Sequence, residues 1–207
     1  MVSVSEHVCG IRKEGIFVVG KESVDLSECY FYHTVDVPGV GLLDGEWDLR
    51  NNARDYFGGI DYNGKKVLEM GTSSGYGCFT MEKWGAEVVG YDLSPEYSWD
   101  LVPSGASTDV LDEKRVRMAK WIGKVNNAFW YLHGKFQSKA KVVYGSAYMV
   151  PESIGLYDVV TLCSILLHTR DPFGILQSVS KFSSEYIVIT DVIPKYLVGD
   201  KVEEIVF

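Results

Sequence analysis

The stretch of residues 65–94 constrains this chain most, because it predicts a strand, a glycine-containing loop, a helix and a second strand in succession. The apolar run 67–70 has the length of a buried strand, and residues 86–91 predict another. Residues 76–84 predict a short helix that ends at Gly85. Two apolar strands joined by a helix form a βαβ unit, which is typical of a parallel sheet.

The residues around this loop select among the ligands that such a unit binds. Ligands of open parallel sheets lie at the carboxyl ends of the strands, which is where Glu69 and Asp92 stand. A dinucleotide site needs glycines at the first, third and sixth loop positions, and this chain has Gly71, Ser73 and Tyr76 there. The tyrosine argues against a pyrophosphate site, and no lysine follows the loop as it does in a P-loop. An ordinary βαβ unit with a glycine turn remains the alternative.

Glu69, the pattern Gly-x-x-x-Gly and the later Asp92 resemble motif I and the acidic strand end of class I S-adenosylmethionine (SAM)-dependent methyltransferases. The resemblance implies that Gly71 and Gly75 let the backbone approach the methionine part of SAM. It also implies that Glu69 faces the cationic end of the ligand and that Asp92 accepts hydrogen bonds from the ribose hydroxyls. Ser73 replaces a glycine that is frequent in this motif. The complete set of cofactor-binding residues expected from the resemblance is Glu69, Gly71, Thr72, Ser73, Gly75, Asp92, Leu93, Ser146, Ala147 and Cys163.

Composition narrows the class of protein. The chain has 207 residues, of which 46% are hydrophobic and 13% aromatic, enough for one domain with a packed core and a lined pocket. Its net charge of −8 does not favour binding to a phosphate backbone. The four cysteines are isolated, which argues against a zinc site and a disulfide framework, so no metal is expected. No apolar run reaches about 18 residues, so we expect a soluble, cytoplasmic protein without a membrane partner.

Residues 1–45 lie outside the parallel pattern, and we assign them to an N-terminal β extension or flap. Residues 15–20 predict a strand, and the alternation over residues 30–37 before Pro38-Gly39 predicts a hairpin. Such a flap either covers an active site or only seals the edge of the sheet, and both alternatives stay open. Its polar aromatic candidates are Tyr32 and His33.

The remaining residues, 46–207, form the expected SAM-binding domain. A helix is predicted over residues 48–57, with Asp48 as its N-cap. A longer one, continuous or divided at its glycines, is predicted over residues 112–136 from the apolar stripe of Met118, Ile122, Val125, Phe129, Leu132 and Phe136. Asp171 and Pro172 open a last helix as N-cap and N1.

Further strands are predicted at residues 140–144, 157–163 and 186–190. The pattern from residue 67 onward predicts an α/β fold, a Rossmann-like doubly wound and mainly parallel sheet with helices on both faces.

A second resemblance concerns a branch of bacterial class I methyltransferases. It rests on the segments WDLR, LEMGTSSG, YDLS, Trp99-Asp100, NNAFWYLH, KVVYG and ILLHTRDPFGIL and covers about residues 30–192. That branch is related to the enzyme that modifies the wobble uridine of tRNA by carboxymethyl transfer, and it contains many small-molecule methyltransferases. The resemblance therefore implies SAM, or its carboxylated form carboxy-SAM, as the cofactor.

Class I methyltransferases usually add a helix and an antiparallel strand pair after the fifth strand. Here residues 201–206 follow shortly, so we expect that this pair is lacking and that the domain is C-terminally incomplete. The fifth strand, residues 186–190, would then be an apolar edge, which favours pairing with another copy of the chain.

Three functions remain open. The first is methyl transfer from SAM to a small-molecule acceptor, with His168 as the candidate general base and Tyr148 and Tyr32 as weaker candidates for orienting the substrate. The second is a tRNA-modifying (carboxy)methyltransferase, for which the only local support is the basic cluster of Lys114, Arg115, Arg117, Lys120 and Lys124. A solvated helix face is the favoured explanation of that cluster. The third is a non-catalytic module with the SAM-binding fold.

Overall fold

The computed structural model describes residues 7–8, 10–22, 24–97, 100–101, 105 and 107–192. Trp99 and residues 193–207 lie outside these ranges, and so does the predicted C-terminal end at residues 201–206. The strands are β1 His7–Val8, β2 Ile11–Glu14, β3 Phe17–Lys21, β4 Val35–Val37, β5 Gly41–Leu43, β6 Lys66–Met70, β7 Glu87–Asp92, β8 Lys141–Tyr144, β9 Tyr157–Cys163 and β10 Ser183–Thr190. The α-helices are α1 Ala53–Tyr56, α2 Tyr76–Lys83, α3 Thr108–Phe136 and α4 Pro172–Ser180.

The main sheet has the strand order β1-β2-β3-β8-β7-β6-β9-β10. In the sheet, the neighbouring pairs β8–β7, β7–β6, β6–β9 and β9–β10 are parallel. The pairs β2–β3 and β3–β8 are antiparallel. The chain runs outward from β6 to β8 and then returns to the other side of β6 for β9 and β10. The predicted Rossmann-like, mainly parallel α/β fold is therefore confirmed, and the switch point between β6 and β9 is where such sheets bind ligands.

Side chains of the central strands alternate between two cores, one on each face of the sheet. On one face, Val67 of β6 packs in a cluster with residues of α2 and α3, among them Phe79 and Phe129. On the other face, Leu68 and Met70 pack in a cluster with residues of α4. The buried apolar run of β6 is thus explained by a strand that is covered on both faces.

The N-terminal region contacts both the edge of the sheet and a cavity. The β2–β3 hairpin extends the sheet beyond β8, with Val18 opposite Val142, and so seals that edge. The β4–β5 hairpin forms a separate two-stranded sheet around the Pro38-Gly39 turn. Between the two hairpins, Tyr32 and His33 reach a cavity at the carboxyl ends of the parallel strands.

Two helix predictions need correction. The helix expected over residues 48–57 is only the short α1, because the Asp48 carboxylate accepts a hydrogen bond from the backbone N–H of Arg50 and pairs with its guanidinium (2.7 Å). That local turn competes with helix formation. The helix predicted over residues 112–136 is continuous through both glycines, and it begins four residues earlier, at Thr108.

The strand β10 is the last strand of the sheet in the described part of the chain. Three of its apolar side chains are well exposed: Tyr186 (50%), Ile187 (39%) and Ile189 (50%). Among the described helices, none has the length and apolar character that crossing a bilayer requires.

Candidate functional site

A cavity opens at the carboxyl ends of β6, β7, β8 and β9, with about 1120 Å³ of empty space including its mouth. Its walls come from the loops after these strands, from α3 and from the N-terminal segment that contains Tyr32 and His33. Eight of the residues predicted for cofactor binding or catalysis line it: Gly71, Ser73, Asp92, Leu93, Ser146, Ala147, Cys163 and His168.

The glycine loop and Asp92 are joined directly. The backbone N–H of Ser73 donates to Asp92 Oδ2 (2.5 Å), and the N–H of Leu93 donates to Oδ1 (2.7 Å). Ser73 has a φ of +52°, which is unusual for a residue with a side chain, and its buried hydroxyl has no hydrogen-bond partner among the described residues. Burial raises the pKa of Asp92 to about 6. Each carboxylate oxygen keeps a lone pair for a further donor, such as a ligand hydroxyl.

Glu69, Thr72 and Gly75 are not part of the cavity wall. Glu69 is buried, accepts a hydrogen bond from Thr72 Oγ1 (2.8 Å), and lies so close to α2 that a Cβ at Gly77 would be 1.7 Å from its Oε1. Burial raises the pKa of Glu69 to about 7. Gly75 has a φ of +88°, and a Cβ there would meet the ring of Phe79 at 2.5 Å, so packing below the loop requires this glycine.

Asp100, which also lines the cavity, joins three loops through hydrogen bonds and an ion pair. Its carboxylate accepts hydrogen bonds from the hydroxyl of Tyr148 (2.5 Å) and from the backbone N–H of Arg170 (2.8 Å), and it forms an ion pair with the Arg170 guanidinium. The loops after β7, β8 and β9 therefore meet beside Ser146 and Ala147. Asp100 belongs to one of the segments on which the second resemblance rests, and no local pattern in the sequence indicates this contact.

The end of β9 and the loop after it form the part of the wall that contains Cys163 and His168. Burial raises the pKa of the Cys163 thiol to about 12 and lowers that of His168, so both are neutral at pH 7. Ser164 has a φ of +56°, and its hydroxyl oxygen accepts a hydrogen bond from Tyr56 (2.9 Å). Sequence reasoning missed Tyr56, because its position in α1 carries no signal of a site.

The N-terminal segment and α3 supply aromatic side chains. Tyr32, which donates its backbone N–H to Ser74 Oγ (3.2 Å), makes edge-on contacts with His33 and Trp121. Burial lowers the pKa of His33 to about 4, and its buried Nδ1 has no hydrogen-bond partner among the described residues.

The charged side chains among the described lining residues are acidic. Among the described lining residues, Asp92 and Asp100 carry carboxylates, while no lysine or arginine lines the cavity. Asp100 is paired with Arg170, which leaves Asp92 as the uncompensated acid. A ligand with hydroxyl donors and a net positive charge fits this wall, and SAM has both.

No family model matches this chain, and no curated protein matches it. Several solved structures are similar. The N-terminal domain of EvdMO1, solved with S-adenosylhomocysteine (SAH) and D-fucose, has 15% identity and a TM-score of 0.46, over 76% of this chain and 57% of that one. DhpI in complex with SAM and HEP has 16% identity and a TM-score of 0.47, over 72% and 56%. A SAM-dependent methyltransferase from Mesorhizobium loti has 15% identity and a TM-score of 0.40, over 66% and 49%.

This chain thus spans less than two thirds of the length of each of these proteins. The fold itself follows from the strand order of this chain, from its glycine loop at the switch point and from Asp92 at the end of the neighbouring strand β7. It is a Rossmann-like, mainly parallel α/β fold.

Proposed function

We propose that this chain binds SAM in the cavity and transfers its methyl group to a small-molecule acceptor. The observation that carries the proposal is the half-buried Asp92 at the end of β7, held by the N–H groups of Ser73 and Leu93 next to the glycine loop. Its free lone pairs suit the two hydroxyls of a ribose, and the unpartnered Ser73 hydroxyl beside it suits a further ligand contact.

When bound, SAM supplies a methyl group on a sulfonium, which is already a good leaving group. The chain then has to align the acceptor with the methyl group and exclude water. His168 is neutral at pH 7 and lines the cavity, so it can accept a proton from an acceptor that must lose one. Cys163 at the end of β9 and Ile165 on the loop after it supply an apolar surface to the same cavity.

The charge of the wall favours SAM over carboxy-SAM. The carboxylated form carries one more negative group, and the described lining residues offer it no cationic partner. Burying a carboxylate without a partner costs free energy.

The charges on the protein surface also support a small acceptor rather than tRNA. The exposed basic residues of α3 share the surface with Asp109, Asp112 and Glu113, and Arg115 already pairs with Asp112 (2.6 Å).

The exposed edge of β10 supports association with a second copy of the chain. In the described part of the chain β10 is the last strand of the sheet and has the exposed apolar side chains Tyr186, Ile187 and Ile189, and an apolar edge strand pairs readily with another strand. A homo-oligomer that covers this edge is therefore part of the proposal.

Calorimetric titration with SAM and SAH tests the cofactor assignment. Asp92→Ala leaves ligand hydroxyls without their acceptor, so we expect its affinity to fall by about 1–3 kcal/mol. Asp112→Ala removes an exposed acid on α3 and should leave the affinity unchanged. Absence of SAM binding in the unmodified chain, or an Asp92→Ala variant that binds as well, would refute the assignment.

His168→Ala should lower the rate of SAH formation while SAM affinity stays within twofold. Retained SAM binding without transfer to any acceptor would instead support the non-catalytic module. Full turnover in His168→Ala would remove the base from the proposal.

A further inference from the structure

We propose that the methyl acceptor is an uncharged, hydroxylated aromatic molecule that lies against an aromatic wall formed by Tyr32, His33, Tyr56 and Trp121. This inference rests on the proposed function and adds the chemical class of its acceptor. It follows from the shape, the charge and the hydrogen-bonding groups of one part of the cavity.

The aromatic wall brings together three segments that are distant in sequence. The ring centroid of Tyr32 lies 5.1 Å from that of His33, at an interplanar angle of 83°, and 6.3 Å from that of Trp121, at 79°. Tyr56 lines the same cavity from α1. Rings with this spacing present faces and edges to a planar ligand, which aromatic pairs prefer to a perfect face-to-face stack.

Two backbone contacts hold the wall next to the cofactor loop. Tyr32 donates its N–H to Ser74 Oγ, and Tyr30 donates its N–H to the carbonyl of Lys124 on α3 (3.0 Å). The first contact attaches the N-terminal segment to the glycine loop, and the second attaches it to the helix that carries Trp121. An acceptor on this wall is therefore adjacent to the expected position of the methionine part of SAM.

The wall is uncharged at neutral pH. Burial lowers the pKa of His33 to about 4 and raises that of Tyr56 to about 12. The charged side chains among the described lining residues are the carboxylates of Asp92 and Asp100. A carboxylate or phosphate on the acceptor would lose its hydration without gaining a cation, and it would also be repelled by Asp92. Anionic acceptors are therefore disfavoured.

Two groups of the cavity are suited to an acceptor hydroxyl. Ser164 accepts the proton of Tyr56, so its own hydroxyl proton remains for an oxygen of the ligand. Ser164 also holds a left-handed backbone conformation (φ +56°), fixed by its N–H bond to the Thr190 carbonyl (2.6 Å), and such strained residues cluster at functional sites. The neutral imidazole of His33 adds one donor and one acceptor, and its Nδ1 is unpartnered among the described residues.

A matched set of probes separates these contributions. Binding to the SAH-loaded protein is measured by calorimetry for 2-naphthol, 2-naphthoate, 2-naphthyl phosphate and decahydro-2-naphthol. The two anions keep the ring and add charge, whereas the last compound keeps the hydroxyl and removes the aromatic faces. We expect 2-naphthol to bind at least tenfold more tightly than each of the other three.

Variants of the wall test the assigned residues. Tyr32→Leu keeps the backbone contact to Ser74 and removes a ring, so we expect a several-fold loss of 2-naphthol affinity with unchanged SAH affinity. Tyr56→Phe keeps the ring and removes the hydroxyl that orients Ser164, so the preference for 2-naphthol over naphthalene, which has no oxygen, should shrink several-fold. Phe173→Leu removes an exposed aromatic ring on α4 and is the matched control. Thermal melting verifies that each variant folds, and His33→Gln replaces Tyr32→Leu if that variant does not.

The outcomes distinguish the two proposals. If the unmodified protein does not bind SAH, the cofactor assignment is refuted. Binding of the four probes to the protein without SAH would still test the aromatic wall. Anionic probes that bind as tightly as 2-naphthol, absence of 2-naphthol binding, or unchanged affinity in both Tyr32→Leu and Tyr56→Phe would overturn the aromatic acceptor.

Discussion

Gly77 on α2 offers a sharp test of where Glu69 lies. A methyl group at this position would be 1.7 Å from Glu69 Oε1, 2.8 Å from its Cδ and 2.9 Å from Phe57 Cζ. Glu69 cannot simply turn away, because it is buried and accepts a hydrogen bond from Thr72 Oγ1 (2.8 Å). Gly77→Ala therefore forces the carboxyl group out of its place.

The magnitude follows from three contributions. Replacing glycine by alanine inside a helix ordinarily stabilises it by about 0.5–1 kcal/mol. Overpacking a well-filled core costs about 1–3 kcal/mol, and loss of the bond from Thr72 to Glu69 costs about 0.5–1.5 kcal/mol. The net expectation for Gly77→Ala is a loss of about 0.5–4 kcal/mol in the free energy of unfolding.

Urea denaturation followed by circular dichroism measures this change, and Gly134→Ala is the matched control. Gly134 lies in α3 with no heavy atom within 4 Å of its would-be Cβ, so alanine there should raise the free energy of unfolding by about 0.5–1 kcal/mol. In a Glu69→Ala background most of the collision is gone, and the cost of Gly77→Ala should fall by at least half. If Gly77→Ala stabilises the chain as Gly134→Ala does, Glu69 is not packed under α2 and the reasoning is refuted.

Two further predictions concern binding and assembly. Burial raises the pKa of Asp92 to about 6 in the free protein. Because hydroxyl donors of a ligand favour the carboxylate form, SAH affinity should be constant above about pH 7 and decline as the pH drops through about 6. Calorimetry between pH 5 and 8 measures this; Asp92→Asn should bind weakly with no such decline, and a flat profile in the unmodified chain would contradict the assignment. Ile189→Lys places a charge on the exposed edge of β10 and should convert an assembled species to monomer in sedimentation velocity, with Val110→Lys on α3 as the exposed control. A monomeric unmodified chain at all concentrations would contradict association through this edge.

Much of the fold could be predicted from the sequence because its signals are local. The apolar runs that became β6, β7 and β9 are short and continuous, as strands covered on both faces must be. Gly85, at a φ of +94°, ends α2 where the pattern indicated, and Asp171 caps α4 by accepting the N–H of Gly174 (2.8 Å). Each of these depends on a few neighbouring residues.

The candidate site could be predicted only in part. The loop and Asp92 come together because parallel strands end at one edge of the sheet, a property of the strand pattern alone. Glu69 was expected to face the ligand, yet alternation along β6 puts it on the same face as Val67, below α2. Which face of a strand receives a particular helix is a property of packing.

The order of strands and helices, the positions of the glycines that turn the chain and the acid at the end of β7 can all be read from the sequence. The contacts of Asp100 with Tyr148 and Arg170, and the wall that Tyr32, Tyr56 and Trp121 share, depend on the folded chain. The physical reason is distance along the chain: local backbone preferences act over a few residues, whereas these contacts join segments whose approach is set by the burial of two cores around one sheet.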